Sequence, residues 1–308
     1  MKVSIIKKIS NPKNVLRKLY LLLTGRAAVV EIELDVLPSS MAVHHDRDEL
    51  SNMRPPVFII GPPRSGSTFL VAALNQHERI YITNELRVMS FVNDLFRLFL
   101  KSKRIEWNLS SEEKENFIMH FREQMAYVVK SFYARRLKRI NDVWGDKHPH
   151  YSDPAMDPGA LDTILELFPD ATFIHLYRHP YAQIHSYVKK GWKDFQYAVL
   201  AYRRIVTVGQ SLGRRVGAKQ YIEISYEELC DCGEVKMNQI CEFLGIPPSE
   251  NLNRYMRSQE LERTPYSIPV TPVEEIGKKK DFGFTFEQKE YMNKVLGDFL
   301  KPLGYNLY

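Results

Sequence analysis

Two hydrophobic periods take turns along the chain. Short apolar runs with strand character fall at residues 57–60, 80–83, 143–144, 172–177 and 219–225, and between them apolar positions recur every three to four residues. Strands alternating with helices predict an α/β fold with a parallel sheet flanked by helices. Near the N-terminus Val30, Ile32, Leu34 and Val36 alternate with Glu31, Glu33 and Asp35, which predicts a half-buried strand inside an extension over residues 1–50. Residues 86–140 read as almost wholly helical. Their second helix opens on Ser110 and Glu113, a capping box, and the periodicity assigns Phe117, Phe121, Met125, Val128 and Phe132 to its buried face. This excursion is expected to form a helical cap on a single domain spanning residues 1–308. Later helices are expected over 161–168, from Pro180 onward, and over 194–212, 229–244 and 287–300, with Tyr197, Ala201, Tyr202, Ile205 and Val208 facing inward from the third of these.

The chemistry concentrates where strands end. Residues 57–70 read VFIIGPPRSGSTFL, a strand, a tight loop and a helix start. Such a loop aims backbone N–H groups at one point beside a helix N-terminus, the place for a phosphate-like anion. Gly61, Gly66 and Thr68 fit the phosphate-loop pattern GxxxxGK[ST], but Ser67 stands where the lysine belongs and Arg64 offers the cation instead. The Thr68 hydroxyl is expected to cap a helix running from Phe69 to Leu74. Glu85 follows the second strand directly, either as a site carboxylate or as a carboxylate at the start of the helix over 86–100. The next strand is expected to break at Gly145 and to deliver Asp146, Lys147, His148 and His150 together, with Lys147 and His148 on opposite faces. Arg178 ends the strand over 172–177, and Ser186 lies eight residues on, two helical turns along, a forked cation and a hydroxyl suited to a second phosphate. Tyr226 follows the last strand at the same edge. Lys278, Lys279 and Lys280 could close over bound phosphates, whereas His44 and His45 read as a solvated linker.

Composition narrows the class. With 308 residues, 44% of them hydrophobic, the chain can bury a large core, and a net charge of +6 suits an anionic ligand while being too mild for a nucleic-acid-coating protein. Cys230, Cys232 and Cys241 form neither a disulfide framework nor a zinc pattern, so a reducing compartment is expected. The apolar run at residues 19–23 is too short for a membrane span, which predicts a cytoplasmic enzyme without stable membrane insertion. Nothing in the sequence indicates the oligomeric state. A metal-dependent P-loop kinase would need the loop lysine and an acidic magnesium ligand at a strand end, but the strand over 172–177 ends in a cation.

The motifs PPRSGST, RHPYAQIHSY and ISYEEL, in that order, resemble those of the sulfotransferases that use 3′-phosphoadenosine 5′-phosphosulfate (PAPS), in the branch that carries arginine in the phosphosulfate loop. The resemblance spans roughly residues 57–244. It implies that Arg64, Ser65, Gly66, Ser67 and Thr68 hold the 5′-phosphosulfate, that Arg178 and Ser186 hold the 3′-phosphate, and that Tyr226 contacts the nucleoside. It further implies in-line transfer of a sulfuryl group to an acceptor hydroxyl, or less readily an amine, without a metal, and release of 3′-phosphoadenosine 5′-phosphate (PAP). Lys147 resembles a catalytic lysine of the family, Glu85 matches its glutamate base, and His148 is the rival base. The acceptor, whether a small molecule or a carrier-bound chain, is not identified by the sequence. A metal-dependent kinase and a non-catalytic nucleotide-binding protein remain the alternatives.

Overall fold

The computed structural model describes residues 47–102, 107–257 and 282–305. The expected strand around residues 29–36, the pair His44 and His45, and the lysines at 278–280 lie outside the described residues. The chain divides into two compact units, Met1–His44 and His45–Tyr308, and the described residues belong to the second.

Five strands form one parallel sheet: β1 (Val57–Ile60), β2 (Ile80–Asn84), β3 (Val143–Lys147), β4 (Thr172–Tyr177) and β5 (Tyr221–Ser225), in the order β2-β3-β1-β4-β5. The helices are α1 (Arg47–Ser51), α2 (Ser67–Leu74), α3 (Val88–Leu100), α4 (Ser111–Ala134), α5 (Ala160–Leu167), α6 (Pro180–Lys189), α7 (Phe195–Val216), α8 (Tyr226–Asp231), α9 (Gly233–Phe243), α10 (Glu250–Arg257) and α11 (Phe286–Leu300). Strand side chains alternate between two cores, as the period of two requires. Val57 and Ile59 join Ile80, Ile82, Ile174 and Leu176 under α2 and α9, while Phe58 and Ile60 join Trp144 and Phe173 under α3, α4 and α5. A third core packs α6 and α7 against α11 through Ile184, Tyr202, Met292 and Leu296. With β1 central and its neighbours β3 and β4 reached from opposite directions, the C-terminal ends of β1, β3 and β4 open on one crevice, where ligands gather in such sheets.

Several expectations are corrected. β3 does not break at Gly145 but runs through it to Lys147, because a Cβ there would collide with the Val57 carbonyl, so glycine is what lets β3 lie against β1. The helix over 229–244 is two helices, interrupted at Cys232, where the backbone leaves helical geometry. On α4 the capping box forms, but the buried stripe has a different phase. Phe117 and Val128 are exposed, whereas Val129 and Tyr133 are buried and Phe121, Met125 and Phe132 pack partly against the core. On α7 Ala201, Tyr202 and Ile205 are buried as expected, while Tyr197 and Val208 are only half-buried. Among the described residues no helix is long and apolar enough to cross a membrane.

Candidate active site

The loop between β1 and α2 is shaped around two backbone requirements. Arg64 adopts a positive φ of 72° and Gly66 one of 94°, and a Cβ at Gly66 would collide with the Tyr226 ring. Glycine is therefore needed at position 66 for both conformation and space. α2 begins at Ser67 rather than at Phe69, with Gly66 as its N-cap and no side-chain cap. The Thr68 hydroxyl does not cap it; Thr68 Oγ1 accepts a hydrogen bond of 3.2 Å from Lys147 Nζ instead. The first N–H groups of α2 are thus not claimed by a capping side chain, which suits an anion at the positive end of the helix dipole.

Two arginines flank this end. Arg64 Nε donates to Ser186 Oγ at 3.0 Å, which joins the loop to α6. Arg178, at the end of β4, places its guanidinium 4.6 Å from the centroid of the Tyr226 ring. The serine expected beside Arg178 is therefore bonded to Arg64, and the Arg178 contact is the aromatic ring. Burial, together with the neighbouring Arg178, pulls Arg64 below the ordinary arginine value. Two cations kept this close favour a ligand of several negative charges. Arg178 Nε and the Ser65 hydroxyl are buried without a hydrogen-bond partner among the described residues. Gln183 holds the loop from α6, donating from Nε2 to the Pro63 carbonyl at 2.6 Å.

The other end of the crevice is an ion pair. Lys147, at the end of β3, donates from Nζ to Glu85 Oε1 at 2.7 Å. The two side chains differ sharply in exposure, 2% for Lys147 and 49% for Glu85. Burial lowers the Lys147 pKa below its ordinary value, and the Glu85 carboxylate pulls it partly back. Glu85 is not a helix-start carboxylate, since α3 begins three residues later, at Val88. Glu85 and Arg87 have positive φ values of 59° and 64°, and with Arg64 they are the only non-glycine residues of that kind among the described residues. All three border this crevice, the kind of place where disfavoured backbone is held for a purpose.

His148 turns away from the ion pair, as alternation along β3 demands. It is 3% exposed, its ring lies 5.0 Å from that of His150 and 5.1 Å from that of Tyr151, and neither of its nitrogens has a hydrogen-bond partner among the described residues. Burial pushes its pKa down to about 2, so the ring is neutral.

Sequence reasoning placed Asp146 nearby but gave it no part in the site. Its buried carboxylate accepts from Thr83 Oγ1 at 2.7 Å and Tyr151 Oη at 2.8 Å, and from the Leu86 and Arg87 backbone N–H groups at 3.2 and 3.1 Å. No local pattern announces this, because two of those donors are main-chain groups some sixty residues distant. Glu227, after Tyr226, was likewise missed: it accepts from the His179 N–H at 3.0 Å and from Tyr305 Oη at 2.6 Å, tying α8 to the turn after β4.

Comparison with known proteins places this geometry. Residues 55–250 match the model of the family described as "Sulfotransferase family". A protein-tyrosine sulfotransferase of Drosophila melanogaster is 26% identical over 261 residues, covering 81% of this chain and 49% of the relative. Protein-tyrosine sulfotransferase A of Caenorhabditis elegans is 26% identical over 210 residues, covering 65% of this chain and 52% of the relative. The chain thus spans about half the length of these relatives. Among solved structures, the sulfotransferase domain of the Synechococcus PCC 7002 olefin synthase shares the fold, with a TM-score of 0.56 and 24% identity over 83% of this chain and 97% of that one. With well over half of its residues inside the family model, and with the phosphate-loop strand, the two arginines and the lysine–glutamate pair all within the matched region, the chain belongs to the sulfotransferase family.

Proposed function

We propose that the protein transfers a sulfuryl group from PAPS to an acceptor hydroxyl, with Glu85 as the base. The observation that carries this reading is the crevice itself, in which a helix N-terminus and two arginines at one end face a lysine–glutamate pair at the other. The residues present suit PAPS. The N–H groups of α2 with Ser65, Ser67 and Thr68 would take its 5′-phosphosulfate, and Arg64 bridges from that loop to Ser186. Arg178 Nε, buried without a partner among the described residues, and Ser186 would take the 3′-phosphate, and Tyr226, against which Gly66 and Arg178 both pack, would meet the nucleoside.

When bound, PAPS supplies an activated sulfuryl group, and transfer forms a bond from the acceptor oxygen to sulfur while the bond from sulfur to the bridging oxygen breaks. Lys147 Nζ and Arg64 supply fixed positive charge where negative charge grows on that departing oxygen. Glu85 Oε1 and Thr68 Oγ1 hold the ammonium group of the buried Lys147 in place for this role. Glu85 takes the acceptor's proton. Its half-exposed carboxylate has one oxygen on Lys147, and the other, Oε2, has no hydrogen-bond partner among the described residues. The alternative base, His148, is almost fully buried on the other face of β3. Family membership favours this reading over the metal-dependent kinase. A tyrosyl phenol is the first acceptor class to test, because the curated relatives named above are protein-tyrosine sulfotransferases.

The test has two stages. Titration calorimetry should give tight PAP binding and much weaker binding of AMP, which lacks the 3′-phosphate; equal affinity for the two contradicts the assignment of the cofactor. Transfer from PAPS is then measured on a panel comprising a tyrosyl peptide, a seryl peptide, 4-nitrophenol and a primary alcohol. Binding of PAP without transfer to any member would favour a non-catalytic nucleotide-binding protein.

A further inference from the structure

We infer that Asp146 is a positioning residue that fixes the backbone on which Glu85 is carried, an inference that rests on the reading of Glu85 as the base. Glu85 stands on a turn of three residues between β2 and α3, and two of the three, Glu85 and Arg87, have left-handed backbone. A residue with a Cβ does not hold that conformation unless its surroundings impose it. The imposing groups come from consecutive residues of β3. The Lys147 carbonyl accepts the Glu85 N–H at 2.7 Å, and the Asp146 carboxylate accepts the next two N–H groups, Leu86 on Oδ1 at 3.2 Å and Arg87 on Oδ2 at 3.1 Å. Three successive N–H groups are therefore fastened to β3, while the Lys147 side chain, on the opposite face, holds the Glu85 carboxylate. One residue grips the carrier and its neighbour grips the charge.

Asp146 is itself fixed. It is 1% exposed, and besides the two amides it accepts from Thr83 Oγ1 on β2 and from Tyr151 Oη on the 3-10 turn after β3. Thr83 Oγ1 lies 2.8 Å from Tyr133 Oη of α4, so the anchorage continues into the helical segment. Four donors surround the group, two on each oxygen. Only a carboxylate accepts on all of them; an amide in its place would turn an NH₂ toward donors. A buried aspartate in place of a neutral side chain is therefore explained by the turn it holds. Because it acts through Glu85, its loss should be felt in the chemical step and not in donor binding.

The test uses Asp146→Asn, Tyr151→Phe and Glu85→Gln, alone and as the double variant Asp146→Asn with Glu85→Gln. The expected result is a single-turnover rate, measured with the panel acceptor that the wild type sulfates fastest, that falls about 10- to 100-fold in Asp146→Asn. PAP affinity should stay within about two-fold, since no group proposed to contact the donor has changed. In the Glu85→Gln background the same substitution should change the rate less than about two-fold, because a residue acting through Glu85 has nothing left to position. Amide hydrogen exchange supplies a readout free of activity: Leu86 and Arg87 should exchange faster in Asp146→Asn than in the wild type, without ligand. Tyr151→Phe removes one of the four donors and should give a smaller fall of the same kind, which keeps the test open should Asp146→Asn fail to fold. An unchanged rate in both Asp146→Asn and Tyr151→Phe, a parallel loss of PAP affinity, or a full additional loss in the Glu85→Gln background would overturn the inference. A wild type that binds PAP but sulfates no acceptor contradicts the assignment of the base, a failure seen before any variant is compared.

Discussion

At the β1–α2 end of the crevice the groups left for a ligand are main-chain N–H groups and two arginines, whereas at the β2–β3 end they are the paired side chains of Lys147 and Glu85, carried on a turn whose own N–H groups are bonded to β3. The first end rests on backbone shape. Gly66 is irreplaceable there because of its φ and the Tyr226 ring, and the first N–H groups of α2 meet no capping side chain, while the Ser65 N–H is spent within the loop on the Pro62 carbonyl at 3.2 Å. The second end rests on individual atoms, Lys147 Nζ, Glu85 Oε1 and the two Asp146 oxygens, each with a named partner. An end made of main chain should set how tightly the donor binds. An end made of paired charges should set how fast a bound donor reacts.

Glu85→Gln should break this comparison most severely. Turnover is expected to fall about 10²- to 10⁴-fold while PAP affinity stays near the wild-type value, since the substitution removes the proposed base and leaves both arginines and the N–H groups of α2 in place. Lys147→Met should follow, with a loss of about 10²- to 10³-fold in turnover. It should also change the pH profile. The Lys147 ammonium is charged at low pH and loses its proton as pH rises through a pKa that burial sets below the ordinary 10.5, so wild-type turnover should decline on the alkaline side earlier than a free lysine would allow. Glu85 raises that pKa, so the residual activity of Glu85→Gln should decline at still lower pH.

At the other end, Arg178→Ala should weaken PAP binding by about ten-fold or more while hardly affecting AMP, which a calorimetric titration of both ligands would read directly. The smallest effect belongs to His148→Asn. Its ring is neutral down to about pH 2, so its removal should leave the shape of the pH profile unchanged; a new acid limb, or loss of an existing one, would return His148 to consideration as the base.

How much of this could be read from sequence follows the same division. The β1–α2 end was legible, since a strand, glycines at fixed spacing and a helix start are local features, and Arg178 and Tyr226 each directly follow a strand, with Ser186 eight residues beyond Arg178 in α6. Even so, Ser186 bonds to Arg64 and not to the arginine on its own segment. The β2–β3 end was only partly legible. Glu85 and Lys147 could be named from their strand ends, but a glycine within an apolar run reads as a break, and only the close approach of the Val57 carbonyl explains why Gly145 continues β3. Asp146 was invisible in its role because its partners sit on β2, on the turn before α3 and on the 3-10 turn, and are brought together only by the fold. The stripe on α4 was misjudged by one position over part of its length because the helix is long and only its last turns, at Val129, Tyr133 and Ala134, are deeply buried. Periodicity sets the spacing of a buried face more firmly than its direction.

If one crevice both binds PAPS and passes its sulfuryl group to a hydroxyl through Glu85, loss of that carboxylate must slow transfer from a donor that is still bound. The most direct measurement is single-turnover transfer from radiolabelled PAPS, with enzyme in excess, in the wild type and in Glu85→Gln under conditions that saturate both with donor. The sulfur label should appear in the acceptor for the wild type, at a rate reduced about 10²-fold or more in the variant, with the bound donor otherwise retained. Equal rates for the two proteins, or label that never leaves the donor in the wild type, would contradict it.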